Sequence, residues 1–252
     1  MNSERIWTAA LLVIGDEILS GRTQDKNIAQ IAKWLNLQGI RLTEVRIVPD
    51  DAGAIGEGVI ALKARHDYLF TTGGIGPTHD DITVDSIAAA LDVAVIVHPD
   101  ARAILEEYYQ TRGGLSDARL RMARVPEGAE LIVNSATGAP GIRFGNIFIL
   151  AGVPEIAAMM IDGLSGKLEG GKPMLSRTVG ALARESEVAD LLRETEKRNP
   201  GSQIGSYPFF REGKVGANFV VRSVDLAIIE ACINAISTGL SALGYEAVPD
   251  GI

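Results

Sequence analysis

The sequence contains one cysteine, Cys232, and only three histidines, which lie far apart. A single cysteine excludes a disulfide within the chain, and its apolar-periodic surroundings predict a core residue rather than a nucleophile. The histidines show neither H-x-x-H nor H-E-x-x-H spacing, which gives zinc little support. His79 is expected to make a minor ligand contact at most. Disulfide scaffolds and zinc enzymes are therefore set aside.

Long hydrophobic runs and clusters of positive charge are also missing. The longest apolar runs, such as Ala9–Ile14, are far shorter than the roughly 18 residues that span a bilayer. Met1 to Trp7 has no signal-peptide character, since the following apolar run reaches Gly15-Asp16-Glu17 without a cleavage site. The net charge is −8 and the basic residues are scattered, which disfavours nucleic acid. We expect a cytoplasmic protein with neither a membrane nor a nucleic-acid partner.

An alternation of apolar and amphipathic segments dominates the first part of the chain. The predicted strands are Trp7–Ile14, Leu42–Val48 and Tyr68–Thr72, and the predicted helices are Asn27–Leu37, Ala54–Arg65 and Val84–Leu91. Continuous apolar strands joined by such helices predict a parallel sheet that is covered on both faces. Ligands of these folds bind beyond the carboxyl ends of the strands.

The third strand runs into a glycine-rich turn that contains Gly73, Gly74 and Gly76. Glycines allow backbone N–H groups to approach an anion, and the helix predicted to start near Ile82 would point its positive end there. Asp80 and Asp81 are compatible with a bound anion only if a divalent cation lies between them. The alternative is helix capping by the Thr78–Asp81 and Asp80–Thr83 pairs.

Two earlier turns carry further polar residues. Gly15 to Gly21 follows the first strand and Pro49 to Asp51 follows the second. Asp50 and Asp81 are expected to follow adjacent strands and to hold the cation, with Glu17 orienting water or a ribose hydroxyl. The alternatives are a strand-end turn for Asp50 and a solvated loop for Asp16 and Glu17.

The rest of the sequence predicts shorter elements and a second unit. A helix near Asp100–Thr111, a strand at Leu131–Val133, a hairpin at Ile142–Leu150 and a helix starting at Pro154 complete a domain at residues 1–168. A glycine-rich linker leads to an α+β domain at residues 173–252. Its predicted elements are a strand (Ser176–Leu182), a helix (Glu185–Lys197), two strands joined by residues 211–216, and a helix (Asp225–Leu243).

Several segments match one family together. They are Gly15-Asp16-Glu17-Ile18-Leu19-x-Gly21, Asn27, Asp50, the turn at residues 73–83, Asn134-x-x-x-Gly138-Ala139-Pro140-Gly141 and Gly152-Val153-Pro154-x-Glu155. In these the chain resembles the molybdopterin-binding-domain superfamily, specifically its competence-damage-inducible protein A (CinA) branch. Ile204-Gly-Ser-Tyr-Pro208 and the strand Gly216–Arg222 resemble the small domain that follows there and in eukaryotic FAD synthase. The resemblance covers about the whole chain.

The resemblance implies a three-layer α/β/α sandwich with a mostly parallel sheet, followed by a small α+β domain. It also implies metal-dependent cleavage of a pyrophosphate such as ADP-ribose or FAD, with Mg²⁺, Mn²⁺ or Co²⁺. Other branches bind molybdopterin and adenylylate it or insert metal. Their third turn typically reads Gly-Gly-Thr-Gly and ends in Arg-Asp, where this chain has Ile75 and Asp80. An aspartate there removes a bidentate phosphate clamp and supplies a metal ligand. Separately, the apolar faces of the predicted helices Glu185–Lys197 and Asp225–Leu243 predict that the second unit docks on the first or on a neighbouring subunit, so we expect a homo-oligomer.

The predicted site combines the turns with the family motifs. Asp81, Asp50 and Glu17 are the catalytic candidates, and Asp50, Asp80 and Asp81 are the metal candidates. The residues predicted to bind a nucleotide or pterin are Gly15, Asp16, Gly21, Asn27, Thr72, Gly73, Gly74, Gly76, Pro77, Thr78, Thr83, Asn134, Gly138, Pro140, Gly141, Gly152 and Pro154. A non-catalytic binding module and a molybdopterin adenylyltransferase remain alternatives.

Overall fold

A computed structural model describes residues 5–134, 137–211 and 213–252. The chain folds as two units, Met1–Gly171 and Lys172–Ile252. Residues 1–4 of the segment examined for a signal peptide, and Glu212 in the predicted strand connection, lie outside the described residues. Within the described part, no helix has both the length and the apolar character needed to cross a bilayer.

The first unit alternates strands and helices along most of its length. Its strands are β1 (Trp7–Ile14), β2 (Ile40–Val48), β3 (Tyr68–Thr72), β4 (Val95–Val97), β5 (Arg124–Pro126), β6 (Glu130–Ile132), β7 (Gly141–Phe144) and β8 (Ile147–Leu150). Its helices are α1 (Asp16–Leu19), α2 (Asn27–Leu37), α3 (Ala52–Lys63), α4 (Thr83–Ala90), α5 (Pro99–Tyr109), α6 (Asp117–Leu120) and α7 (Pro154–Asp162), with a short 3-10 helix at Arg121–Ala123.

Six of these strands form one mixed sheet in the order β2-β1-β3-β8-β7-β6. Strands β2, β1, β3 and β8 run parallel, whereas β7 and β6 are antiparallel to their neighbours. Strands β4 and β5 pair separately as an antiparallel ribbon. The parallel strands place their carboxyl ends at one edge, where the turns that follow β1, β2, β3 and β8 meet.

Helices cover both faces of this sheet. On one face Leu11, Phe70 and Phe148 pack against α2 and α7, and the two phenylalanine rings stack with centroids 4.8 Å apart. On the other face Leu12 and Leu69 pack against α3 and α4. Because both faces are covered, the parallel strands are apolar throughout rather than alternating. The result is the predicted three-layer α/β/α sandwich.

The position of β1 differs from the prediction in one respect that matters for the site. Strand β1 lies between β2 and β3, so Asp50 and Asp81 do not follow adjacent strands, and that prediction is wrong. The first two crossovers place β2 and β3 on opposite sides of β1, as in doubly wound sheets. The two aspartates therefore approach the end of β1 from its two sides.

The second unit is a four-stranded antiparallel sheet with two helices. Its elements are β9 (Leu175–Ala181), α8 (Glu185–Arg198), β10 (Gln203–Arg211), β11 (Lys214–Ser223), α9 (Leu226–Ala242) and β12 (Val248–Pro249). The strand order is β10-β11-β9-β12. Phe219, Ile229 and the fully buried Cys232 belong to its core, which confirms the structural role predicted for the cysteine.

The predicted segments with strong periodicity lie close to their observed bounds, and several short elements were missed. The ribbon of β4 and β5, the helices α1 and α6, the 3-10 helix and β12 each contain two to four residues. Segments this short contain too few repeats to show a period of 2.0 or 3.6. Strand β11 also begins at Lys214, so the connection from β10 is shorter than the predicted 211–216.

Candidate functional site

The glycine turn after β3 is held tightly against the rest of the sheet edge. The Gly73 N–H donates to the Leu150 carbonyl (3.2 Å), and the Thr83 hydroxyl donates to the Gly73 carbonyl (2.9 Å). Gly73 and Gly74 adopt φ angles of 103° and 66°, which favour glycine. A Cβ at Gly73 would lie 2.1 Å from the Ile14 carbonyl oxygen, and one at Gly74 would lie 2.2 Å from the Thr83 hydroxyl. The protein's own packing therefore requires both glycines.

Three consecutive N–H groups in this turn have no partner in the described part of the chain. The N–H groups of Gly74, Ile75 and Gly76 donate to no acceptor there. Pro77 has no N–H, and the N–H of Thr78 donates to Asp81 Oδ2 (2.7 Å). The N–H groups of this turn that are free to bind a phosphate are therefore those of Gly74, Ile75 and Gly76. Successive free N–H groups of this kind form a favourable environment for an anion.

Thr78 brings the carboxylates of Asp80 and Asp81 together. Its hydroxyl lies within hydrogen-bond distance of Asp80 Oδ1 and 2.7 Å from Asp81 Oδ2. A hydroxyl has one hydrogen, so it can donate to only one carboxylate at a time. Its bond to Asp80 holds the pKa of that carboxyl below the usual value, with help from the Asp80 backbone N–H. His79 is almost fully exposed beside Asp80 and does not line the cleft described below.

Helix α4 begins at Thr83, and its start does not use these side chains as caps. The N-cap position is Ile82, with no side-chain cap bond. The Thr83 N–H donates instead to the Gly74 carbonyl (3.0 Å). Capping of α4 therefore does not explain the Thr78–Asp81 and Asp80–Thr83 spacings.

Asp50 links the turn after β2 to the turn after β1. Its Oδ2 accepts from the Asp16 N–H at 3.0 Å, at the first residue of α1. The neighbouring Asp51 has a different role, because its side chain accepts from the Ala54 N–H and caps α3. The structure therefore gives the two adjacent aspartates different roles.

These turns line a cleft of about 570 Å³ in the first unit. Small-molecule sites typically enclose roughly 300–1,000 Å³. Ten of the predicted residues line the cleft: Gly15, Glu17, Asp50, Gly73, Gly74, Gly76, Pro77, Asp80, Asp81 and Gly152. The carboxyl ends of β1, β2, β3 and β8 are thus joined into one site.

Several other predicted residues support the cleft walls without lining them. Asn27 is buried and donates to the Gly152 carbonyl at 2.8 Å, which fixes the turn before α7. Asn134 is also buried and donates to Thr137 Oγ1 and the Ala139 carbonyl. Pro154 occupies the first turn of α7.

The remaining predicted residues lie at varied distances from the cleft. Gly138 has a φ of 70° and packs against the Tyr108 ring, and Gly141 is buried in β7. Pro140 lines a small cavity behind the glycine turn. Gly21, with a φ of 72°, has nothing within 4 Å of an added Cβ. Asp16, Thr72, Thr78 and Thr83 also lie outside the cleft lining, and the Thr72 hydroxyl is buried without a partner among the described residues.

The cleft includes residues that the motif analysis missed. The ones that bear on ligand binding are Ile75, Tyr109, Met122, Val153, Ile156 and Met160. Val153 and Ile156 flank the start of α7, and Tyr109 ends α5. Tyr109, Ile156 and Met160 come from helices whose apolar residues look like ordinary core positions, so the sequence gives no separate signal for them.

The charged side chains that line the cleft in the described part of the chain are all negative. Glu17, Asp50, Asp80 and Asp81 contribute four carboxylates, whereas no Lys, Arg or His of the described ranges lines it. Across residues 5–134, 137–211 and 213–252, no group of three or more His, Cys, Asp or Glu side chains is arranged to hold a metal ion.

Both units match known protein families. Residues 10–169 match a family described as a probable molybdopterin binding domain, and residues 173–247 match the middle domain of FAD synthase. These matches follow the two observed units closely.

The matches to individual relatives either extend across both units or cover the first unit. A protein of Aeropyrum pernix is 34% identical over 214 residues, covering 81% of this chain and 79% of the relative. A CinA-like protein of Desulfosudis oleivorans is 34% identical over 209 residues, and the match covers 78% of this chain and 51% of the relative. The crystal structure of the protein CinA, of unknown function, from Thermoplasma acidophilum superposes with a TM-score of 0.60 at 30% identity, covering 64% of this chain and 98% of that one. These similarities confirm the resemblance that the motifs indicate.

Proposed function

Since the chain belongs to the family of probable molybdopterin-binding domains, we propose that its cleft binds a nucleotide or pterin by its phosphates and hydrolyses a pyrophosphate such as ADP-ribose or FAD. The observation that carries this proposal is the presence of three free N–H groups and four carboxylates in one cleft. The N–H groups attract an anion, whereas the carboxylates repel it. A phosphate ligand that arrives with a divalent cation satisfies both sets.

The donor set fits a hard cation that is shared between protein and ligand. Mg²⁺ usually binds one or two carboxylates together with substrate phosphates rather than an all-protein cage. Asp81 and Asp50 are the proposed ligands, and Asp80, which shares the Thr78 hydroxyl with Asp81, is the alternative. Mn²⁺ and Co²⁺ are the other candidate ions. Because the described residues lack a three-ligand group, we expect the cation and the phosphate ligand to bind together.

The residues of the chain position and polarise the substrate. A divalent cation, when bound, adds charge stabilisation of the phosphoryl oxygens and lowers the pKa of a coordinated water. The N–H groups from Gly74 to Gly76 hold a phosphate, and the starts of α4 and α7 add the positive ends of two helix dipoles. The Glu17 carboxylate lines the same cleft and would orient the attacking water or a ribose hydroxyl.

Asp50→Asn should reduce ADP-ribose hydrolysis in Mg²⁺ at least about tenfold, a loss of roughly 1.4 kcal/mol in transition-state stabilisation. Asparagine keeps an oxygen for the Asp16 N–H but removes the charge that would hold the cation. Asp51→Asn is the matched control, because Asp51 caps α3 and lies outside the cleft lining, and asparagine caps about as well. Equal losses in the two variants would contradict the assignment of Asp50.

Chelation should weaken ligand binding as well as turnover. The cleft lining has no basic side chain among the described residues, and Arg121 lines the small adjoining cavity rather than the cleft. Within the cleft, the N–H groups and helix dipoles would therefore face the phosphates against four carboxylates. We expect EDTA to weaken ADP-ribose or FAD affinity at least about tenfold, or roughly 1.4 kcal/mol. Calorimetric titrations with Mg²⁺ and with EDTA check this. Equal dissociation constants would mean that the carboxylates do not act through a cation.

A non-catalytic module that holds a nucleotide or molybdopterin is the second hypothesis. The description of the matching family, which names binding of molybdopterin and no reaction, favours it. Assays with ADP-ribose and FAD, with and without Mg²⁺, Mn²⁺ or Co²⁺, separate binding from hydrolysis. Molybdopterin adenylylation is tested by complementation of a strain that lacks this step, and Asp80 in place of the arginine clamp argues against it.

A further inference from the structure

Part of the cleft lining has no role in binding phosphate or a cation. Ile75, Met122, Ile156 and Met160 contribute apolar side chains, and Tyr109 contributes the one aromatic ring among the described lining residues. Phosphates and divalent cations are bound by N–H groups and oxygen atoms, which the four apolar side chains do not offer and of which Tyr109 offers only its hydroxyl. The cleft is therefore suited to a ligand that carries an apolar or planar group beside its charged one.

The Tyr109 ring is held in place by two neighbours. The Arg119 guanidinium lies over the ring, 4.1 Å from its centroid, and the Tyr108 ring makes an edge contact at 5.0 Å. Arg119 is itself anchored, because its Nη1 donates to the carbonyls of Arg112 (3.0 Å) and Gly114 (2.5 Å). A ring fixed in this way loses little further freedom when a ligand packs against it.

Tyr109 lines the ligand cleft, and its side chain also packs against the small apolar cluster of Ala101, Leu105 and Ala123. Arg119 covers one face of the ring but does not line the cleft, whereas Tyr109 does. Met122 lines the same cleft, and its thioether is suited to contact the edge of an aromatic group.

We propose that Tyr109 is the stacking platform for a planar nitrogen heterocycle of the ligand, such as a purine, and that Arg119 is the positioning residue that holds it. This inference rests on the proposed function for the phosphate end of the ligand. It adds a part of the site that recognises the ring and not the phosphate. Stacking on an aromatic side chain tolerates different bases, because every base has a π face.

The test compares a ligand that has a purine ring, AMP, with one that lacks it, ribose 5-phosphate, using the whole chain and Mg²⁺. Tyr109→Leu keeps apolar bulk but removes the planar ring, and Tyr109→Phe keeps the ring. By calorimetry, we expect Tyr109→Leu to weaken AMP binding about tenfold or more, and Tyr109→Phe to change it by less than about threefold. Binding of ribose 5-phosphate should be unchanged in both variants. Upfield NMR shifts of the adenine protons should occur with the wild type and Tyr109→Phe and vanish with Tyr109→Leu.

Three results would overturn the platform: equal losses for AMP and ribose 5-phosphate, an unchanged AMP affinity in Tyr109→Leu, or no AMP binding by the wild-type protein. Hydrolysis of ADP-ribose by the same preparations separates this inference from the proposed function. Ring-selective AMP binding without hydrolysis would support the platform and refute the hydrolase. Hydrolysis of ADP-ribose together with an AMP affinity that does not depend on Tyr109 would support the hydrolase and refute the stacking role of Tyr109.

Discussion

Asp81→Asn should remove nearly all hydrolysis of ADP-ribose and leave the fold intact. We expect a loss of at least about a hundredfold in kcat/KM, or roughly 2.7 kcal/mol in transition-state stabilisation. Asp81 Oδ2 accepts from both the N–H and the hydroxyl of Thr78, and an asparagine oxygen can still accept the N–H bond. Only the charge that would hold a cation is removed.

Kinetics over a range of Mg²⁺ concentrations and thermal unfolding together check this result. Asp81 does not cap α4, so the free energy of unfolding should change by less than about 1 kcal/mol. Partial recovery of the rate at high Mg²⁺ would identify weakened cation binding as the cause. A variant with wild-type kinetics and unchanged stability would leave Asp81 with only a structural role in the Thr78 turn.

Gly74→Val should abolish ligand binding and also destabilise the protein. The φ of 66° is unfavourable for valine, and the new Cβ would lie 2.2 Å from the Thr83 hydroxyl that anchors the turn. We expect a loss of roughly 2–4 kcal/mol in the free energy of unfolding, from backbone strain and overpacking together. Chemical denaturation and calorimetric titration with AMP measure the two effects.

Gly145→Val is the matched control for this variant. Gly145 has a similar φ of 59°, but an added Cβ there would meet nothing within 4 Å. It should therefore show the cost of backbone strain alone and keep AMP affinity. If Gly74→Val binds AMP as well as Gly145→Val does, the glycine turn does not bind the phosphate.

The sequence predicted those parts of the fold that depend on periodicity and on glycine. Strand β1, helix α2 and strand β3 have the predicted bounds, because each is either continuously apolar or clearly amphipathic. The Gly73-Gly74 turn was placed correctly after β3, since few residues other than glycine adopt its φ angles.

Other features depend on tertiary contacts that no local pattern records. The position of β1 between β2 and β3 results from the sides to which the crossovers run, so the prediction of adjacent strand ends for Asp50 and Asp81 was wrong. Tyr109 reaches the cleft only through the packing of α5. The hydrogen bonds that Asn27 and Thr83 donate to the Gly152 and Gly73 carbonyls, and that fix the turns, are likewise visible only in the structure.

The anchoring of the glycine turn affects how the protein responds to its ligand. Bonds to Leu150 and Thr83 fix this backbone from two elements, so the N–H groups are already oriented in the free protein. A phosphate then gains their attraction without first ordering a loop, which lowers the entropic cost of association. Ligands should thus be captured at rates limited by encounter and desolvation rather than by a slow closing step.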